Sequence, residues 1–151
     1  MFVSWIGWIG AGVMALVCTF ALLKGERIER IGATAYLMAW LLTTLISQAY
    51  GDEAHGNWIM LLVDVSLLAA FVTLIWKAPR NWPVWASAFQ ALIVASQILI
   101  LARFDTPIVS YYRIVNVASY GILIALAIGT FIAWQESLAV RSSRNDFNDY
   151  S

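Results

Sequence analysis

The sequence is poor in charged residues, since only 12% of its 151 residues are Asp, Glu, Lys or Arg, and nine basic residues balance nine acidic ones. An ordinary soluble domain carries about 25% charged residues. This scarcity of charge, together with 62% hydrophobic residues and a mean hydropathy of +0.77, argues against a water-soluble domain. A net charge of zero gives no overall field that would attract nucleic acid. We therefore expect an integral membrane protein that binds no nucleic acid.

Cysteine and histidine each occur once, which limits redox, metal and haem chemistry. Cys18 has no second thiol to pair with and is expected to act as a small hydrophobic side chain. His55 lies in a polar connection, which disfavours ligation of haem or chlorophyll inside the membrane. Together with Asp52 and Glu53, His55 provides only three candidate metal ligands, without a fourth. A solvated loop is therefore expected rather than a metal site. Because no nucleophile or phosphate-binding motif is present either, the sequence predicts no catalytic residue, no cofactor and no enzyme.

Five long apolar stretches make up nearly all of the chain, namely Phe2–Leu23, Ile31–Tyr50, Trp58–Trp76, Val84–Ala102 and Ile114–Trp134. Each is close to the roughly 20 residues that a helix needs to cross a bilayer. None shows the alternation of barrel strands, so all five are predicted to be transmembrane helices joined by short loops. The expected fold is all-α, with one helical bundle over residues 1–140 and a polar, disordered cytoplasmic tail over residues 141–151. The longest connection, residues 103–113, is a candidate for a short interfacial helix.

The distribution of basic residues predicts the orientation of the bundle. Seven of the nine basic residues fall on one side of the predicted membrane and only Arg103 and Arg113 on the other. The positive-inside rule therefore places the N-terminus outside and the C-terminus inside. The segment Arg80-Asn-Trp-Pro-Val-Trp-Ala-Ser-Ala-Phe-Gln90 resembles parts of uncharacterised small bacterial inner-membrane proteins, but it covers too little of the chain to imply a function. The expected location is the bacterial cytoplasmic membrane.

Asp64 is the only charged side chain within the five apolar stretches. A carboxylate at hydrocarbon depth costs at least about 2.5 kcal/mol on insertion scales, so it is expected to pair, to be protonated or to face a polar cavity. One interpretation is structural, either as an ion pair with Arg113 or Arg103 or as a protonated carboxyl bonded to Gln97 or a threonine. The other is a site for a proton or a cation.

Polar residues on other predicted helices lie at similar depth to Asp64. Gln90 and Gln97 are seven residues apart and share one face of the fourth helix. With Thr43, Thr44, Asn116 and Ser119 they predict a polar patch in the outer half of the bundle. Hydrogen bonding between helices would explain this patch, and so would the lining of an outward-facing, hydrated cavity.

Two further features indicate contact with other molecules. Trp40 lies near the middle of the second stretch, where packing against another helix is expected and contact with a bound lipid, quinone or pigment is the alternative. Small residues recur every fourth position in the first and last stretches, at Gly7, Ala11 and Ala15 and at Gly121, Ala125 and Gly129. These helix-packing faces predict close approach either within the bundle or to another subunit.

Two classes of function follow from these features. The first hypothesis is a non-catalytic accessory or structural subunit of a larger membrane assembly, which packs against other subunits or copies of itself through its small-residue faces. The alternative is a small oligomeric channel or transporter that binds a proton or cation at Asp64, with Gln97, Gln90, Thr44, Asn116 and Arg113 nearby.

Overall fold

The computed structural model describes residues 2–50, 54–102 and 108–149, and these residues form five α-helices and no strand. The helices are α1 (Phe2–Lys24), α2 (Arg27–Tyr50), α3 (Ala54–Lys77), α4 (Trp82–Leu101) and α5 (Ile108–Asp149). Each contains a stretch of 18 or more residues that is long and apolar enough to cross a membrane. The prediction of five long, apolar helices is therefore confirmed.

The five helices pack side by side as a closed ring. Each helix contacts the next one along the chain, and α1 also contacts α5. A further contact between α2 and α5 crosses the ring. Alanine, cysteine and a few large side chains fill the interior, including Cys18, Ala33, Phe71, Trp82, Ala118, Ile122 and Leu126. The many small core residues allow the helix backbones to approach closely.

The two ends of the bundle differ in how the chain turns. At one end, here called the Arg80 end, Gly25 and Glu26 alone connect α1 to α2, and residues 78–81 connect α3 to α4. A side chain at Gly25 would overlap the carbonyl oxygen of Ala21, so this two-residue connection requires glycine. The opposite end, where α3 begins, is here called the Asn57 end. Because α1 ends at Lys24 and α2 begins at Arg27, the charged segment 24–30 is mostly helical. Glu29 lies in the first turn of α2.

Residues 141–149 of the predicted polar tail belong to the last helix. In the structure α5 continues to Asp149, because neither glycine nor proline follows Gly129 to interrupt the helix. Residues 141–147 are exposed along this extension. Of the predicted interfacial segment, residues 103–107 lie outside the described residues, and residues 108–113 form the first turns of α5.

Candidate functional site

A cavity of about 520 Å³ lies among α2, α3, α4 and α5, toward the Asn57 end of the bundle. α1 contributes no lining residue to it among the described residues. Polar side chains and carbon-rich side chains both line this space, which we call the Asp64 cavity: Tyr36, Ala39, Trp40, Thr43, Ser47, Asn57, Met60, Asp64, Leu67, Gln90, Ile93, Gln97, Val115, Asn116 and Ser119. Polar side chains from α2, α3, α4 and α5 thus line one open volume.

Two glutamines of α4 hold the Asp64 carboxylate from one side. Nε2 of Gln90 donates a hydrogen bond of 2.9 Å to Oδ1, and Nε2 of Gln97 donates one to Oδ2. Gln90 also donates to the backbone carbonyl of Asp64 at 3.2 Å, and its side chain is only 1% exposed. The spacing of seven residues places both amides on one face of α4, so that they bracket the carboxylate on α3.

The Asp64 carboxylate makes no ion pair within the described residues. Arg113 is exposed and does not line the cavity, while Arg103 lies outside the described residues. A carboxylate offers about four acceptor positions. Two are filled by the glutamine amides, so each carboxylate oxygen retains room for another donor.

Only some of the remaining predicted site residues line the cavity. Asn116 lines the cavity from α5. Thr44 does not line it, and its hydroxyl donates a hydrogen bond of 2.9 Å to the carbonyl oxygen of Trp40 within α2. Thr43, one position earlier in the helix, and Ser119 of α5 also line the cavity. Trp40 also lines the cavity and remains 40% exposed, so its indole is not enclosed in the core.

The amide of Gln97 is satisfied on one side only. Its nitrogen bonds to Asp64, whereas its Oε1 is buried and has no hydrogen-bond partner among the described residues. Tyr36, a cavity residue that sequence reasoning did not identify, is 8% exposed. The signal for Tyr36 was its spacing of four residues from Trp40, which places both rings on one face of α2.

A second polar cluster, at the Arg80 end, was missed by the sequence analysis. Glu29 is completely buried, and its Oε1 accepts hydrogen bonds from Arg80 Nη1 at 2.7 Å and from Trp82 Nε1 at 3.2 Å. Arg80 Nη2 lies 2.6 Å from a Glu136 oxygen and 3.2 Å from a Glu26 oxygen. One guanidinium therefore ties the start of α2 to the α3–α4 connection and to α5.

The three carboxylates determine the protonation of Arg80. Partial burial of the guanidinium acts to lower its pKa, but the hydrogen bond and charge of Glu29, followed by Glu136 and Glu26, outweigh this effect. The net result is an Arg80 pKa above its ordinary value. The Arg80 guanidinium therefore remains protonated.

The Trp82 indole is buried in the bundle beside this cluster. A Cβ atom added at Gly32 of α2 or at Gly129 of α5 would overlap the ring, which is thus held between two glycines. Phe71 of α3 meets the ring edge-on, with centroids 6.3 Å apart. Phe71 lies one turn beyond the cavity residue Leu67, so packed aromatic side chains stand between the cavity and the Arg80 end.

The two predicted small-residue faces have different surroundings. On α5, Gly121 receives the ring of Phe89 and Gly129 receives Trp82, while Ala125 is buried between them. On α1, a Cβ at Gly7 would have nothing within 4 Å, and Ala15 is exposed. The α5 face receives α4 side chains, whereas on the α1 face Gly7 and Ala15 are exposed and Ala11 is half-buried.

Comparison with known proteins adds no identification. No family model matches the chain, and no curated protein or solved structure matches it significantly.

Proposed function

We propose that the protein spans a bacterial cytoplasmic membrane with its N-terminus outside and its C-terminus inside. Five helices of sufficient length and apolarity support insertion. The orientation is supported by the basic residues, of which seven of nine would then lie on the cytoplasmic side. In this orientation the Asp64 cavity lies in the outer half of the bundle and the Arg80 end faces the cytoplasm.

Within this membrane, the protein acts as a small channel or transporter that binds a cation at Asp64. The observation that carries the proposal is a carboxylate that faces a cavity of about 520 Å³ and has no basic partner among the described residues. Ionisable groups inside membrane proteins are costly, and they typically mark the paths of ions and solutes. Two amides fix the carboxylate in place while leaving acceptor positions free toward the cavity.

The packed rings of Phe71 and Trp82, toward the Arg80 end from the cavity, favour a gated path over a permanently open pore. Phe71 is 1% exposed and Trp82 is 5% exposed, and their rings are in edge contact. A solute bound at Asp64 reaches the Arg80 end only if these packed rings separate. This arrangement supports a mechanism in which binding at the outer side precedes an opening step at the inner side.

Replacing Asp64 with asparagine tests the cation site. The substitution preserves the shape of the side chain and removes its charge, so cation flux into proteoliposomes should fall about ten-fold or more, given that a charge-assisted contact contributes about 1.5–3 kcal/mol. Ser66→Ala is the matched control on α3, because Ser66 is exposed and its hydroxyl donates a hydrogen bond to the carbonyl oxygen of Leu62 in the same helix. Equal flux through the wild type and Asp64→Asn would remove Asp64 from the mechanism.

A thiol-labelling version of the same assay establishes which side the cavity faces. Asn57 is exposed and lines the cavity, and the natural Cys18 is fully buried and gives a low background. Asn57→Cys should react with a membrane-impermeant thiol reagent from outside, and the reaction should block flux. If the reagent labelled Asn57→Cys only from the cytoplasmic side, the proposed orientation would be wrong.

The second candidate is an accessory subunit that assembles with other membrane proteins or with copies of itself. It is favoured by the open α1 face, where Gly7 and Ala15 are exposed. Small residues on an exposed helix face allow a partner helix to approach closely.

The accessory hypothesis predicts that Gly7→Leu combined with Ala15→Leu disrupts assembly in mild detergent. Leu16→Ala, at another exposed position of α1, is the control. The measurement is the size and composition of the purified complex. A complex unchanged by the double substitution would exclude this face as the site of assembly.

A further inference from the structure

The lining of the Asp64 cavity limits the kind of cation that fits it. Small-molecule sites typically occupy about 300–1,000 Å³ and combine apolar walls with a few polar groups. The cavity of about 520 Å³ lies within this range, and Met60, Leu67, Ile93 and Val115 provide carbon-rich walls beside a single carboxylate. Both size and composition therefore resemble a site for an organic molecule.

The groups next to the carboxylate disfavour a bare metal ion. Hard cations such as Ca²⁺ require about six to eight converging oxygen ligands. Here both glutamine side chains turn their nitrogen atoms toward Asp64, so the nearest neighbours of the carboxylate are N–H donors. Within the described residues no group of three or more acidic, cysteine or histidine residues is arranged to hold a metal ion. An ammonium group, by contrast, needs only the free acceptor positions of the carboxylate.

Two aromatic side chains complete the site. Tyr36 and Trp40 lie one helical turn apart on α2 and both line the cavity. Aromatic faces attract organic cations through the ring quadrupole, by about 0.5–2 kcal/mol. The same rings also provide apolar contact area for the body of such a ligand.

We infer that the Asp64 cavity binds a monovalent organic ammonium ion whose charged nitrogen contacts Asp64 and whose hydrocarbon or aromatic body lies against Trp40 and Tyr36. This inference rests on the proposed cation site and narrows its ligand from any cation to a lipophilic amine. The ammonium N–H groups fill the acceptor positions that the two glutamines leave free. The apolar walls between Met60 and Val115 then enclose the remainder of the ligand.

The test compares three probes by calorimetric titration of the purified full-length protein in detergent: 2-phenylethylammonium, its neutral analogue 2-phenylethanol, and potassium. The ammonium should bind saturably, while the alcohol and potassium should bind at least about ten-fold more weakly. Asp64→Asn should weaken ammonium binding about ten-fold, and Trp40→Leu about five-fold. Trp76→Leu is the control, because Trp76 is 87% exposed and does not line the cavity.

The outcomes separate this inference from the proposed function. Equal binding of the alcohol, or ammonium binding that is unaffected by Asp64→Asn and Trp40→Leu, would overturn the inference. Potassium binding or flux that depends on Asp64, without ammonium binding, would retain the cation site and refute its narrowing to amines. If no cation binds or crosses the membrane in an Asp64-dependent manner, both proposals fail.

Discussion

Replacing Arg80 with alanine is expected to destabilise the protein by about 3–5 kcal/mol, the range found when one partner of a buried ion pair is removed. Glu29 is completely buried, so the substitution would leave a carboxylate without its cation in the interior. Trp82 Nε1 would remain as a neutral donor and cannot compensate a full charge. Glu26 and Glu136 would also lose the group that holds them together.

The measurement is unfolding in detergent, followed by circular dichroism and by a second probe such as tryptophan fluorescence. Lys77→Ala is the matched control, since Lys77 is an exposed basic residue at the same end of the bundle, three positions away. The double variant Glu29→Leu with Arg80→Met should recover much of the lost stability, because an apolar pair of similar volume avoids the buried charge. If Arg80→Ala matched Lys77→Ala, the ion pairs of Arg80 would contribute no more than ordinary surface charges.

The Asp64 site was largely predictable from the sequence, because its signals are local. One charged residue within five apolar stretches is conspicuous, and a spacing of seven residues places Gln90 and Gln97 on one helix face whatever the bundle geometry. The expected Arg113 partner was less predictable. Depth along a helix axis does not determine the direction of a side chain, and Arg113 is exposed in the structure.

The Glu29 cluster could not be inferred in the same way. Glu29 lies in a sequence segment rich in charge, which resembles a solvated turn, and its partners Arg80 and Trp82 are 51 and 53 residues away. Its burial arises only when α2 begins at Arg27 and the α3–α4 connection packs over its first turn. Such a contact depends on tertiary packing that no local pattern encodes.

The small-residue faces also show that a local sequence pattern does not determine tertiary contacts. Gly7, Ala11 and Ala15 have the same spacing as Gly121, Ala125 and Gly129, yet only the α5 set is filled by the rings of Phe89 and Trp82. The pattern identifies where close approach is possible. Which side chain occupies the face is decided by the bulky residues of the neighbouring helix.

Gly129→Leu is expected to destabilise the bundle by about 3 kcal/mol, at the upper end of the cost of overpacking a core. A Cβ atom at this position already overlaps the Trp82 ring, and Gly32 blocks the ring from the other side. A displacement of the indole away from Glu29 would also break the Trp82 Nε1 hydrogen bond. The loss of helix-breaking glycine favours the substituted helix by only about 1 kcal/mol and does not offset these effects.

The matched control for Gly129→Leu is Gly12→Leu on α1, where an added Cβ would have nothing within 4 Å. This control gains the same helix propensity without a clash, so it should be neutral or slightly stabilising. Unfolding in detergent measures both variants, and a similar stability for the two would show that α5 moves aside without cost. Because Trp82 contacts Glu29 and also separates the Asp64 cavity from the Arg80 end, Gly129→Leu should loosen that separation as well. We therefore expect its tryptophan fluorescence to shift toward that of a more exposed indole, whereas Gly12→Leu should leave the spectrum unchanged.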